Sequence, residues 1–118
     1  MTVIELLSDW RARRAQLGGS VGFVPTMGAL HAGHASLVER SCAENDVTVV
    51  SIYVNPTQFD QAGDLAAYPA PLEADLTLLR ELGADYVLLP RYAGIYPDDF
   101  RFRVEETQLS RELCGAHR

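Results

Sequence analysis

Helical and strand periodicities alternate along this 118-residue chain. Val3, Leu6, Leu7, Trp10 and Leu17 recur on one helical face behind the capping-box spacing of Thr2 and Glu5, which predicts a first helix running to about Leu17, before Gly18-Gly19. Arg11, Arg13 and Arg14 fall on its other side and read as a solvated face. Residues 21–24 form a short apolar run, and residues 47–54 a longer one whose β-branched content suggests a strand buried on both faces. Residues 85–89 make a third strand. Helical stretches over 33–44 and 71–82 separate the three, the second stopped by Gly83. Strand, helix, strand, helix, strand predicts an α/β fold: a Rossmann-like parallel sheet with flanking helices, in one domain spanning residues 1–118. Residues 100–105 alternate and suggest a peripheral strand or hairpin arm, and residues 107–113 a short helix.

Charge and cysteine usage narrow the function. The net charge of −6 opposes a nucleic-acid surface, which requires clustered cations, and no apolar run is long enough to span a bilayer. The start, MTVIELLSDW, lacks the basic and apolar regions of a signal peptide. Cys42 and Cys114 form no CxxC pair and suggest neither a disulfide framework nor zinc, so the expectation is reduced thiols in a cytoplasm. All ten basic residues are arginines, so an ammonium on a transferred phosphate would have to come from outside this chain.

Ligands of open parallel sheets collect at the carboxyl ends of the strands, which here means the segments after Val24, Val54 and Leu89. The first carries Pro25-Thr26-Met27-Gly28 and then His31-Ala32-Gly33-His34 opening a helix. Gly28 and Gly33 remove side chains where a phosphate would approach, and a helix amino terminus offers N–H groups and a positive dipole end. The two histidines can turn toward the same phosphates and stabilise charge developing on a leaving pyrophosphate. An HxxH pair with no third ligand at metal spacing is an incomplete metal site, so no metal ligand is assigned. After the second strand, the carboxamide of Gln58 in Asn55-Pro56-Thr57-Gln58 donates and accepts at once, which suits a hydroxy acid, while Tyr53 and Phe59 extend an apolar wall or simply pack. Asp64, Asp75 and Tyr68 are secondary candidates, each read as a cap, a solvated charge or a packing residue before a ligand. Neither cysteine has the surroundings of a nucleophile.

The run PTMGALHAGH resembles the HIGH signature of the adenylyl-transfer superfamily. With Ser51-Ile52-Tyr53-Val54-Asn55-Pro56-Thr57-Gln58-Phe59, Asp64-Leu65, Tyr68-Pro69, Leu72-Glu73-Ala74-Asp75-Leu76 and Ile95-Tyr96-Pro97-Asp98, the chain resembles the amino-terminal portion of the pantothenate synthetase (pantoate–β-alanine ligase) family along nearly its whole length. The resemblance implies ATP-dependent condensation of pantoate with β-alanine through a pantoyl adenylate, with magnesium on the phosphates. It implies an ATP site along Met27, Gly28, Ala29, Leu30, His31, Ala32, Gly33 and His34, with His34 and His31 catalytic and His34 the proton donor. It places Gln58, Pro25, Met27 and Asn55 against pantoate or β-alanine, and it implies a homodimer. Ala70-Pro71 departs from the family's usual Arg-Thr, and the family continues past the position of Arg118 into a second Rossmann half and a carboxy-terminal domain. Two further readings are a nucleotide- or pantoate-binding module without catalysis and a nucleotidyltransferase of the same superfamily.

Overall fold

The computed structural model describes residues 1–59, 63, 65 and 71–112. Asp64, Tyr68, Ala70 and Cys114 lie outside them. A parallel four-stranded sheet is built from β1 (Thr2–Ile4), β2 (Val21–Thr26), β3 (Val47–Ile52) and β4 (Tyr86–Leu88), in the spatial order β1-β4-β3-β2. Helices α1 (Leu7–Gln16), α2 (Ala32–Glu44) and α3 (Leu72–Leu82) flank it, and α4 (Tyr92–Ile95) and α5 (Leu109–Glu112) follow the last strand. Among the described residues no helix is long and apolar enough to cross a membrane.

The continuous apolar runs of β3 and β4 are explained by two cores, one on each face of the sheet. Val24, Val50 and Val87 sit at matched register and pack with Val38 of α2 and Leu79 of α3. Their neighbours Val49, Tyr86 and Leu88 point the other way and pack with Trp10 of α1, Leu17, Val21 and Val47. Alternate residues of one strand therefore serve different layers.

The amino terminus departs from the sequence expectation. Thr2–Ile4 is a strand and α1 begins only at Leu7, so Thr2 and Glu5 form no capping box and Leu6 supplies no side-chain cap. The β-branched tripeptide TVI pairs with the outer side of β4, where Thr2 N–H donates to the Asp85 carbonyl and Leu89 N–H to that of Ile4. That edge would otherwise leave backbone groups unpaired, and satisfying them outweighs the local helical pattern. Arg13 is also more than a solvated charge: its Nε donates to the Tyr86 hydroxyl at 2.9 Å and its guanidinium lies 5.7 Å from the ring centre.

Other bounds shift modestly. β3 stops at Ile52, two residues short of the predicted end, although Tyr53 N–H still donates to the Thr26 carbonyl. Residues 100–105 form no strand: Asp99 and Phe100 have φ of 56° and 60°, which turns the chain, and Phe102 and Val104 find no surface to cover. The predicted terminal helix appears as α5, whose first amides from Gln108, Leu109 and Ser110 donate to the Glu106 carboxylate. Those bonds hold the Glu106 pKa below its ordinary value.

α2 lies close enough to β2 that Gly22 is sterically required. A Cβ there would come within 2.0 Å of Ser41 Oγ and 2.6 Å of Asn45 Nδ2. Ser41 has little room to yield, since its buried hydroxyl is bonded to Thr48 Oγ1 at 2.8 Å. Gly22→Ala is expected to destabilise the fold by about 2 kcal/mol, the range of an overpacked core, as measured by urea unfolding.

Candidate functional site

The loop from β2 to α2 is shaped by two successive left-handed residues, Gly28 at φ 80° and Ala29 at φ 52°. For alanine that conformation costs about 1–2 kcal/mol, so something must hold it. The holder is Asp75, in the first turn of α3: its Oδ2 accepts the Ala29 N–H at 2.8 Å and its Oδ1 the Leu30 N–H at 2.9 Å. Asp75 is only 3% exposed, which excludes the solvated reading. Thr26 Oγ1 accepts the Gly28 N–H and donates to the Ser51 carbonyl, tying the loop to β3 as well. The spacing of LEADL gave no sign of this partnership, because the residues involved lie more than forty positions apart.

These bonds alter the expected phosphate cradle. The amides of Gly28, Ala29 and Leu30 all have internal partners, as do those of His31 and Gly33. His31 Nδ1 accepts the Gly33 N–H at 3.0 Å, and His34 Nδ1 faces the His31 N–H at 3.3 Å, a capping box built from two histidines. A ring nitrogen that accepts carries no proton, so the tautomer that makes these bonds bears its proton on Nε2. The rings lie 4.0 Å apart, tilted by 40°. The loop's donors toward an anion are thus imidazole edges rather than these backbone amides. Ala32 occupies the first turn of α2 beside them.

His34 borders a cavity of about 670 Å³ at the carboxyl ends of the strands. Pro25, Thr26 and Met27 come from the end of β2 and the loop, Ser51, Tyr53, Asn55 and Gln58 from β3 and the turn after it. Leu7 and Trp10 of α1 add an apolar wall that the sequence pattern does not reveal, because periodicity places α1 without showing which face it covers. Gln58 ends a short 3₁₀ turn, Pro56–Gln58, and is exposed, with no side-chain partner among the described residues. Asn55 differs. Its Oδ1 accepts from both Thr57 N–H and Thr57 Oγ1, and its Nδ2 donates to the Tyr96 hydroxyl, so its carboxamide is engaged within the protein.

Two ionisable groups of the site are perturbed. Burial, then the neighbouring His31, lower the His34 pKa from its ordinary 6.5, while Asp75 opposes them. Desolvation, then Tyr96, raise that of Tyr53, whose hydroxyl is buried without a hydrogen-bond partner among the described residues. Among the described residues no three of His, Cys, Asp and Glu converge as a metal cage.

Comparisons with known proteins agree with this geometry. The family model described as pantoate-beta-alanine ligase matches residues 1–118. Pantothenate synthetase of Thermosipho africanus is 50% identical over all of this chain and 44% of its own length, and that of Bdellovibrio bacteriovorus 45% identical over 98% and 46%. The crystal structure of pantoate-beta-alanine ligase from Francisella tularensis, complexed with beta-gamma ATP and beta-alanine, superposes with a TM-score of 0.95 at 40% identity, covering 100% of this chain and 46% of that one. Pantothenate synthetase from Thermus thermophilus gives 0.87 at 42% identity, covering 100% and 42%. The chain therefore spans less than half the length of the relatives it matches.

Two outcomes test the loop. Asp75→Asn presents an NH₂ to one of two buried N–H donors, so urea unfolding should show a loss of about 2 kcal/mol, the cost of an unsatisfied buried group. The His34 pKa is lower folded than unfolded, so its contribution to stability is fully present above pH 6.5 and is lost as pH falls below that value toward the folded pKa. Unfolding midpoints measured across pH 5–8 should fall on the acid side, and His34→Asn should flatten that part of the profile.

Proposed function

The chain belongs to the pantoate–β-alanine ligase family, and on that premise we propose that its cavity serves the ATP-dependent condensation of pantoate with β-alanine to pantothenate, a step toward coenzyme A. The observation that carries this reading is the pair of histidines that cap α2, set beside a cavity lined by Gln58, whose carboxamide has no side-chain partner among the described residues. The family identity and the relative complexed with beta-gamma ATP and beta-alanine support it.

In the first step the pantoate carboxylate oxygen attacks the α-phosphorus of ATP, the bond to the bridging oxygen breaks, and pyrophosphate leaves. Charge grows on the departing oxygens, where the Nε2–H edges of His34 and His31 donate. Each Nδ1 is held by an amide, which leaves the Nε2–H edge to donate. His34 serves there as a hydrogen-bond donor and keeps its proton, so the step transfers none. In the second step the β-alanine amine attacks the acyl carbon of the pantoyl adenylate, the acyl carbon–oxygen bond breaks, AMP departs, and the amine's surplus proton passes to solvent. Gln58 positions the hydroxy acid by donating and accepting together, while Pro25 and Met27 form the apolar side of the same cavity. Met27 through His34 line the nucleotide. The Asp75 bonds give Ala29 and Leu30 a structural part in that site rather than a donor's.

Magnesium, which the family resemblance implies, finds no cage of three His, Cys, Asp or Glu side chains among the described residues, and no step is assigned to it. An ammonium on the phosphates would come from outside these 118 residues, which include no lysine. The reading extends to a cytoplasmic homodimer. Phe23, 57% exposed on β2, the edge strand of the sheet among the described residues, supports self-association.

The deciding assay is pantoate-dependent exchange of labelled pyrophosphate into ATP, with ATP titrated calorimetrically beside it. Exchange by this chain assigns it the adenylation step; ATP binding without exchange makes it a binding module; the absence of both sinks the proposal for this chain. Where exchange occurs, His34→Asn should lower it by roughly 10²–10³-fold, the cost of losing one transition-state donor. Gln58→Ala should weaken pantoate about tenfold and leave ATP affinity unchanged, and equal losses for both ligands would count against its role.

A further inference from the structure

The motif Ile95-Tyr96-Pro97-Asp98 contributes only Ile95 to the cavity, yet its tyrosine reaches the turn that carries Gln58. Tyr96 lies just past α4, after the last strand, while Asn55 and Thr57 follow β3, some forty residues earlier. Its hydroxyl accepts from Asn55 Nδ2 at 2.9 Å and lies 3.2 Å from both Asn55 Oδ1 and Thr57 Oγ1. Asn55 Oδ1 also accepts the Thr57 N–H at 3.1 Å, and the Asn55 carbonyl accepts the Gln58 N–H at 3.1 Å. The phenol therefore fixes the orientation of the carboxamide that nucleates the 3₁₀ turn, and the turn fixes where Gln58 leaves the backbone.

Tyr96 is itself held from both sides. Its ring centre lies 5.2 Å from that of Tyr92 and 5.0 Å from that of Phe100, the latter edge-on at 81°. The Tyr92 hydroxyl donates to Asp99 Oδ1 at 2.7 Å, a bond that pushes the Tyr92 pKa up to about 12. Asp99 and Phe100 keep left-handed backbones that only a well-determined turn sustains in residues other than glycine. The aromatic stack and this turn place the Tyr96 hydroxyl, and the hydroxyl in turn places Asn55 and Thr57.

We propose that Tyr96 is a positioning residue, acting through Asn55 and Thr57 to set the Gln58 carboxamide against the acid-binding side of the cavity. The proposal rests on the reading of that cavity as a hydroxy-acid site. It gives Asn55 a relay role in place of direct ligand contact.

Tyr96→Phe tests it, because the stacked ring is kept and only the hydroxyl is removed. Amide hydrogen exchange at Thr57 and Gln58 should accelerate about tenfold, while Leu30 and Val38 and the thermal midpoint stay unchanged. Pantoate affinity by calorimetry should weaken about tenfold with ATP affinity unaltered. Unchanged exchange at Thr57 and Gln58 overturns the proposal whether or not pantoate binds. A parallel loss of ATP and pantoate affinity also overturns it, since that marks a general structural role. If the wild-type chain binds no pantoate, the hydroxy-acid reading fails, and the exchange arm alone decides whether Tyr96 orders the turn.

Discussion

The carboxylate of Asp75 is the constraint on which the site depends. Without its two bonds to Ala29 and Leu30, the left-handed pair at Gly28 and Ala29 would have no compensation, and the loop would relax toward ordinary backbone geometry. His31 follows that loop directly. The position at which α2 begins, and hence the placement of both imidazoles, descends from a charge buried beneath the loop rather than from the loop's own sequence.

A similar division runs through the whole molecule. The parallel sheet with a core on each face supplies rigid strand ends, and the candidate site residues gather at and after those ends, from Pro25 near the end of β2 to His34 in the first turn of α2. Each loaded loop is then braced by an element distant in sequence: the β2–α2 loop by α3, and the turn after β3 by the segment after α4. Tertiary hydrogen bonds hold polar side chains where secondary structure has ended. Precise donor placement requires such secondary support.

Much of this is legible in the sequence. The β-branched run of β3, the helices ending near Glu44 and Leu82, and the strand-glycine-histidine-helix order after Val24 follow from local pattern alone. What local pattern misreads involves partners. The TVI segment carries helical spacing with Leu7 and Trp10, and only the open side of β4 makes it a strand. Asp75 reads like any acidic residue in a first turn, and Arg13 like any exposed cation. For each, the deciding partner lies dozens of residues away, and a one-dimensional pattern does not encode where a side chain's unused hydrogen bond will end.

The histidine capping box places two obligations on the same atoms. In each ring one nitrogen keeps the backbone of α2 in order, and on the proposed reading the other faces ligand. Serine or aspartate would satisfy the first obligation and abandon the second, while lysine or arginine would do the reverse. Among the natural side chains, imidazole alone offers an acceptor and a donor on opposite edges of one rigid ring, so replacing either histidine by any of those four forfeits the cap or, on the proposed reading, the donor.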